Sequence, residues 1–291
     1  MHECRVRMRD GARLFLRCIE PQTARASVLL VHGMGEHSSR YLHVAERLAQ
    51  NGFRVCLFDL RGHGRSDGRR GHVENYAQLL DDIAAVENEI ARDGSPIFLY
   101  GHSLGGQLVI NFVIDRKSAA HGVIAASPWF ALAFMPRAWK LWLAQLAVRI
   151  WPQFTQQTDV RPERLSRDQA FLQSMPDLEL VHHTMSAHMY FELVRGAARA
   201  RECAEKFNLP LLLIQGGDDP ITSAAATRAF FEKAKCPDKT LRIYPGGLHE
   251  THNDLDREIV LRDVLYWLDA RAPQLTTRDA SASDTTSTSA G

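Results

Sequence analysis

Gly101-His102-Ser103-Leu104-Gly105-Gly106 is the stretch that decides the fold, because of the segments on either side of it. Residues 96–100 form an apolar run typical of a buried strand, and residues 107–115 carry apolar side chains at helical spacing. A Gly-x-Ser-x-Gly pattern between a strand and a helix predicts a sharp, strained turn whose flanking residues must be small. The Ser103 hydroxyl then projects above the sheet edge, where the N–H groups at the start of the helix favour negative charge. The pattern therefore predicts a nucleophilic serine.

Apolar strand-like runs alternate with helix-like segments along most of the chain. The predicted strands are residues 28–31, 54–58, 97–100, 122–126, 211–215 and 241–244. The predicted helices are residues 41–51, 76–92, the segment after Ser103, 224–234 and 256–270. Continuously apolar strands that alternate with helices predict an α/β fold with a mostly parallel central sheet and helices on both faces. Near the N-terminus, residues 4–6 and 14–18 flank Asp10-Gly11 and predict a hairpin that extends this sheet.

One segment interrupts this alternation. Residues 129–206 contain four of the five tryptophans and no predicted strand of the main sheet. We interpret them as an inserted helical lid, with residues 1–128 and 207–273 as the two parts of the core. A helix after Pro136 combines aromatic side chains with Arg137, Lys140 and Arg149, a pattern that suits a lipid surface. The alternative is that its apolar face packs entirely onto the core.

The end of the chain has a different composition. Residues 274–291 are dominated by Thr, Ser, Ala and Asp and contain almost no apolar side chains larger than alanine. Such a segment cannot bury enough apolar surface to fold. We therefore predict that residues 274–291 are disordered and take no part in catalysis.

Composition narrows the function classes. The chain has 35 Lys and Arg against 34 Asp and Glu, and a net charge of +1 gives no basis for binding nucleic acid. Its five cysteines are scattered without a Cys-x-x-Cys pair, which predicts reduced thiols and neither a disulfide framework nor a zinc site. No signal peptide and no apolar run of about 18–20 residues is visible. We expect a cytoplasmic protein, in peripheral membrane contact if the lid binds lipid.

A nucleophilic serine needs a base and a residue that orients that base, and two loops offer candidates. Asp218 and Asp219 follow the fifth predicted strand, whose carboxyl end can present a carboxylate to a histidine. His249 and His252 follow the sixth predicted strand in a glycine-containing loop that can present an imidazole. The order serine, acid, histidine is that of the α/β-hydrolases. Local reasoning leaves both pairs of candidates open.

Four stretches carry longer motifs. They are residues 32–41 (His-Gly-Met-Gly-Glu-His-Ser-Ser-Arg-Tyr), residues 58–66 with the following Gly71-His72, residues 101–106, and Ser127-Pro128-Trp129. Together they resemble the signatures of the monoacylglycerol lipase and lysophospholipase family of serine α/β-hydrolases. The resemblance covers residues 10–270 and is weakest through the lid. It implies an α/β-hydrolase fold with a lid, and hydrolysis of lipid esters such as monoacylglycerol or lysophospholipid.

The resemblance also assigns roles to single residues. The acid falls on the last residue of Gly216-Gly217-Asp218-Asp219 and the base on His249, with Asp218 as the minority choice for the acid. The oxyanion donors are the backbone N–H of Leu104, next to the nucleophile, and that of Met34. No metal or organic cofactor enters the scheme.

Three further residues are placed by the resemblance near the polar headgroup of the leaving alcohol: Glu36, Arg40 and His252. The simpler interpretation of the first two, spaced i and i+4, is a surface ion pair. Other functions also stay open for the chain as a whole. They are a short-chain carboxylesterase, a prolyl-type aminopeptidase, and a ligand-binding homologue without activity.

Overall fold

The computed structural model describes residues 1–91, 94–158 and 160–274, and its centre is an eight-stranded sheet. The strands are β1 (His2–Arg7), β2 (Arg13–Ile19), β3 (Ala26–Val31), β4 (Phe53–Phe58), β5 (Ile97–His102), β6 (Ala120–Ala126), β9 (Leu211–Gly216) and β10 (Lys239–Tyr244). Their order across the sheet is β1-β2-β4-β3-β5-β6-β9-β10. The first two strands pair antiparallel, β2 also pairs antiparallel with β4, and the remaining pairings are parallel.

Helices cover both faces of this sheet and also occur in the segment between β6 and β9. They are α1 (Leu42–Ala49), α2 (Tyr76–Ile90), α3 (Leu104–Asp115), α4 (Ala138–Ile150), α5 (Gln169–Gln173), α6 (Ala187–Glu202), α7 (Ala224–Lys233) and α8 (Arg257–Asp269). The predicted end of the second helix, Arg92, lies outside the described residues. The predicted order of strands and helices, including the N-terminal hairpin, is confirmed.

The side chains of β3 point alternately to the two faces of the sheet, which explains why two hydrophobic cores form. Leu29 and Val31 face one side of the sheet and pack in the cluster that includes residues of α2, α3 and α6. Val28 and Leu30 face the other side, in the cluster that includes residues of α1 and α8. Because side chains alternate along a strand, a strand buried on both faces must be apolar throughout. This arrangement agrees with the α/β-hydrolase fold that the resemblance implies.

The segment between β6 and β9 has two different parts. Helix α4 has no buried residue, and β7 (Thr155–Gln157) pairs with β8 (Thr184–Ser186) apart from the main sheet. Helix α6 instead packs into the core, where it buries Met189 and Leu193. The Gln107 side chain of α3 donates to the carbonyl oxygen of Leu193 at 3.1 Å. The exposed part of the segment therefore precedes α6.

The structure corrects the expectation that all five cysteines are reduced. Cys18 on β2 and Cys56 on β4 are directly paired across the antiparallel strands, with Cα atoms 4.1 Å apart, and form a disulfide. Cys203 and Cys236 are free thiols. The expectation rested on spacing along the chain. Partners 38 residues apart become neighbours only through strand order and register.

Two other expectations concern membrane-spanning helices and the C-terminal segment. Among the described residues no helix has both the length and the apolar character needed to cross a bilayer. The tail predicted to be disordered, residues 274–291, lies outside the described residues from position 275 onwards.

Candidate active site

The turn at Ser103 has the geometry expected from the sequence. Strand β5 ends at His102 and α3 begins at Leu104, so Ser103 alone makes the turn, with φ +53° and ψ −112°. This is a strained conformation for a residue with a side chain. A Cβ atom at Gly105 would lie 2.0 Å from the carbonyl oxygen of Val31. The first turn of α3 can therefore approach β3 only because residue 105 is glycine.

Ser103, His249 and Asp219 form a continuous hydrogen-bonded chain. The Nε2 atom of His249 lies 3.0 Å from Ser103 Oγ, and its Nδ1 atom lies 2.8 Å from Asp219 Oδ2. All three side chains are buried. A carboxylate can only accept, so Nδ1 carries the proton and Nε2 is free to accept one from the serine. The geometry is that of a nucleophile, a base and an orienting acid.

The other two candidates from the sequence lie elsewhere. Asp218 is exposed, and its backbone N–H donates to the carbonyl oxygen of Gly247 at 3.0 Å. His252 is fully buried, with its ring stacked on Tyr41 at 4.7 Å and edge-on to His102 at 4.7 Å. Burial lowers the pKa of His252 well below the usual range. Neither residue contacts the serine hydroxyl.

Asp219 is held by groups that the sequence analysis did not single out. Its Oδ1 atom accepts from the backbone N–H groups of Ile221 and Thr222 at 2.8 and 3.0 Å. Its Oδ2 atom accepts from the side chains of Thr222 and Gln215 at 2.7 and 2.8 Å. Burial works to raise the pKa of Asp219, but His249 and these donors outweigh it, and the pKa is lowered. A threonine three residues after the acid was the available signal, since such spacing permits a local turn.

The charges around His249 favour its positively charged form. Burial by itself lowers the pKa of His249. The Asp219 carboxylate raises it, with smaller contributions from Glu250 and Glu36, and the net effect is a raised pKa. A base with a raised pKa accepts a proton from the serine more readily. The neighbouring carboxylates therefore favour the protonated form of His249.

The predicted oxyanion donors lie on either side of the serine. Leu104 is the first residue of α3, where backbone N–H groups have no partner within the helix. Met34 lines the cavity beside Ser103. The preceding residue, Gly33, is so close that a Cβ atom there would lie 3.1 Å from the Cβ of Ser103. The loop that carries the Met34 N–H is thus packed directly on the nucleophile.

Glu36 and Arg40 form part of a buried ion network and not a surface pair. Arg40 Nε lies 3.1 Å from Glu36 Oε2, and Arg40 Nη2 lies 2.9 and 2.7 Å from the two carboxylate oxygens of Glu250. The side chains are between 4% and 9% exposed. All three residues line the cavity, whereas His252 does not. Glu250 is a further member that the sequence analysis missed, because its partner is 210 residues away.

A cavity of about 510 Å³ opens above Ser103. Most of its wall is apolar and comes from the segment between β6 and α6 together with the loop after Asp219. The apolar lining residues include Leu132, Phe134, Met135, Val160, Leu165, Val181, Met185, Tyr190 and Ile221. Arg137, Lys140 and Arg164 add positive charge. Across the described ranges, no three or more His, Cys, Asp or Glu side chains are grouped so as to hold a metal ion.

The chain is similar to a known protein family and to known sequences and structures. Residues 22–256 match the family model described as serine aminopeptidase, S33. A Dictyostelium discoideum abhydrolase domain-containing protein is 34% identical over 265 residues, which cover 90% of this chain and 28% of that protein. The chain therefore spans little more than a quarter of that relative. Mouse monoglyceride lipase is 30% identical over 270 residues, covering 90% of this chain and 88% of the lipase.

A solved structure gives the same result. The crystal structure of the Paleococcus ferrophilus monoacylglycerol lipase superposes with a TM-score of 0.81 at 34% identity, covering 89% of this chain and 99% of that one. Sequence and structure agree over the same region that carries the motifs. The chain therefore belongs to the monoacylglycerol lipase-like family of serine α/β-hydrolases.

Proposed function

We propose that this protein hydrolyses the carboxylic ester of monoacylglycerol through an acyl-enzyme intermediate on Ser103. The observation that carries the proposal is the hydrogen-bonded chain of Ser103, His249 and Asp219 at the floor of an apolar cavity. An apolar cavity suits an acyl chain, because burying each methylene contributes about 0.8 kcal/mol. The similarity to named monoglyceride lipases supports the same reaction.

The reaction proceeds in two proton-balanced halves. Ser103 Oγ attacks the ester carbonyl carbon while His249 Nε2 takes the hydroxyl proton, and the carbonyl oxygen becomes an oxyanion. The C–O bond to glycerol then breaks, and His249 gives its proton to the leaving alkoxide. Water attacks the carbonyl carbon of acyl-Ser103 while His249 Nε2 takes a proton from it, the C–O bond to Ser103 breaks, His249 returns the proton to Ser103 Oγ, and the fatty acid leaves. Asp219 stabilises the imidazolium in both halves.

The oxyanion needs fixed donors, and we assign them to the backbone N–H groups of Leu104 and Met34. The first lies at the start of α3, where the helix dipole also favours negative charge. The second lies in the loop packed on Ser103. Loss of one such donor typically lowers kcat by about 10²–10³-fold.

The carboxylates of the cavity favour an ester over an aminopeptidase substrate. A peptide with a free N-terminus needs a carboxylate that is available to bind its ammonium group. Among the described residues, the acidic side chains that line the cavity are Glu36 and Glu250, and both are bound to Arg40. A neutral alcohol can instead use the remaining lone pairs and N–H groups of this network. We therefore assign the glycerol headgroup to Glu36 and Arg40, with His252 supporting them from behind Tyr41.

The lid supplies a surface for reaching lipid. Helix α4 and its flanks expose large apolar side chains, including Met135, Trp139, Trp142, Ile150 and Trp151. Arg137, Lys140 and Arg149 are exposed beside them. Exposed tryptophans next to cations suit the interface of an anionic membrane. We propose that this face of the lid contacts membranes peripherally and delivers lipid to the cavity.

Substitutions of Asp219 and Asp218 distinguish the roles of these two neighbouring carboxylates. We expect Asp219→Asn to lower kcat by about 10⁴-fold, because an amide favours the wrong imidazole tautomer and does not stabilise its cation. The matched control Asp218→Asn changes an exposed residue and should alter kcat less than threefold. Steady-state kinetics of both purified variants measure this. The opposite ranking would move the acid role to Asp218.

The pH dependence of kcat/KM reports the titration of His249. Protonated imidazole cannot accept the serine proton, so the rate falls as the pH decreases through the pKa of His249. Burial lowers this pKa, but Asp219 and its neighbours raise it by more than burial lowers it. The midpoint should therefore lie above about 6.5, the value of an exposed histidine. Glu250→Gln removes a contributing charge and should shift the midpoint downwards. A wild-type midpoint below that of free histidine contradicts the assignment.

The proposed reaction is tested with Ser103→Ala and a substrate series. Because alanine fits the turn, the variant should fold and yet lose at least a thousandfold in kcat and all labelling by a fluorophosphonate. Wild type is assayed on monoacylglycerols, lysophospholipids, p-nitrophenyl esters of two to sixteen carbons and prolyl p-nitroanilide. The highest kcat/KM is expected for long-chain monoacylglycerol. A maximum at two to four carbons would favour a carboxylesterase, and cleavage of the anilide alone an aminopeptidase.

Vesicle co-sedimentation tests the lid surface. Wild type should bind vesicles of phosphatidylcholine with phosphatidylglycerol, and the Trp139→Ser/Trp142→Ser variant should bind several-fold less. Tyr266→Ser is the control, since Tyr266 is more exposed than either tryptophan but lies on α8. If all three proteins sediment equally, or if wild type does not sediment, the lid surface does not bind membranes and only covers the active site. Hydrolysis of a soluble short-chain ester should be unchanged in the double variant.

A further inference from the structure

We propose that Glu36 and Arg40 are positioning residues that join the loop of the oxyanion donor to the loop of the catalytic histidine. The inference rests on the proposed ester hydrolysis but goes beyond a headgroup contact. It states that the buried network of Glu36, Arg40 and Glu250 sets the rate of the chemical step for every ester, including one with no glycerol. One end of this connection is Gly33, which precedes the assigned donor Met34.

The peptide between Gly33 and Met34 is fixed by His32. The Nε2 atom of His32 accepts from the backbone N–H of Leu60 at 2.9 Å, so its proton must be on Nδ1. That Nδ1–H donates to the carbonyl oxygen of Gly33 at 2.7 Å. Burial lowers the pKa of His32 to about 4, so the ring stays neutral and keeps this arrangement. In a planar trans peptide the direction of the Gly33 carbonyl also fixes the direction of the Met34 N–H.

Glu36 holds the same glycine from its other side. Its Oε1 atom accepts from the backbone N–H of Gly33 at 2.5 Å and from the Tyr41 hydroxyl at 2.6 Å. A Cβ atom at Gly33 would lie 2.7 Å from this carboxylate oxygen, so there is no room for the carboxylate to approach a larger residue. The donor loop is thus anchored at both groups of Gly33. Its position depends on where the Glu36 carboxylate lies.

Arg40 carries this constraint to the base. Its guanidinium contacts Glu36 through Nε and both carboxylate oxygens of Glu250 through Nη2. Glu250 is the residue after His249, and its other partner is the Asn253 side chain at 2.7 Å. Only a planar guanidinium presents donors in two directions at fixed angles. Arg40 is therefore a rigid connection between the two loops that face Ser103.

The charges explain why the connection needs arginine. Burial and the nearby Glu250 raise the pKa of Glu36, so the two carboxylates would compete for a proton without the cation between them. A protonated Glu36 has lost part of its capacity to accept from the Gly33 N–H. The loop would then relax, and an oxyanion donor displaced by about 1 Å costs on the order of 10²-fold in rate.

An ester that lacks a glycerol headgroup separates the two roles of these residues. Arg40→Lys keeps the charge but not the two-way geometry. We expect its kcat on p-nitrophenyl butyrate to fall about 10–100-fold with KM changed less than threefold. Its affinity for an alkylboronic acid, which forms a tetrahedral adduct on serine, should fall by the same factor. The matched control is Arg61→Lys, which alters a similarly buried contact to Asp82 away from the cavity and should leave kcat unchanged.

A second variant tests the same inference if Arg40→Lys does not fold. Tyr41→Phe removes only the hydroxyl that donates to Glu36, and Tyr41 is fully buried outside the cavity wall. It cannot contact any headgroup. We expect its kcat on p-nitrophenyl butyrate to fall several-fold, with unchanged KM and a Tm within a few degrees of wild type.

The outcomes are distinct. If Arg40→Lys and Tyr41→Phe hydrolyse p-nitrophenyl butyrate with wild-type kcat and lose activity only on monoacylglycerol, the residues bind the headgroup alone and the inference is wrong. It is also wrong if kcat falls equally in Arg61→Lys. If wild type hydrolyses neither ester, the proposed function fails first. Loss of kcat on both esters, confined to the network variants, supports the inference.

Discussion

The close packing of the first turn of α3 on the end of β3 is the constraint on which the active site depends. Gly105 touches the carbonyl oxygen of Val31 so closely that no side chain fits there. This contact forces a single-residue turn at Ser103 and lifts its hydroxyl out of the sheet. It also puts the start of a helix beside the loop that follows β3. A nucleophile and both assigned oxyanion donors therefore share one small region.

The second constraint is the burial of charged side chains around Ser103. Asp219, Glu36 and Glu250 are all buried near the serine, where an unpaired carboxylate would be costly. Each is satisfied by named donors: backbone and hydroxyl groups around Asp219, and Arg40 between the two glutamates. The same charges act on His249 and raise its pKa. The groups that stabilise these carboxylates thus also set the strength of the base.

The molecule divides into a tightly packed core and a thinly packed cover. The strands of the central sheet between β4 and β9 are buried on both faces, whereas α4 has no buried residue. An element with few buried apolar contacts contributes little to stability and opens at low cost. Its large apolar side chains are therefore exposed. Catalytic geometry and substrate access are assigned to different parts of the chain.

Local sequence alone predicted the architecture and the sharp turn at Ser103, both of which the structure has. Apolar periodicity reports which faces of an element are buried, and Gly-x-Ser-x-Gly reports a turn that has few alternatives. Only the tertiary structure shows that Asp219, and not the exposed Asp218, bonds His249, because adjacent residues in a turn point in different directions. It also decided the Cys18–Cys56 disulfide and the Arg40–Glu250 contact across 210 residues. These depend on strand order, register and loop packing, which periodicity along the chain does not encode.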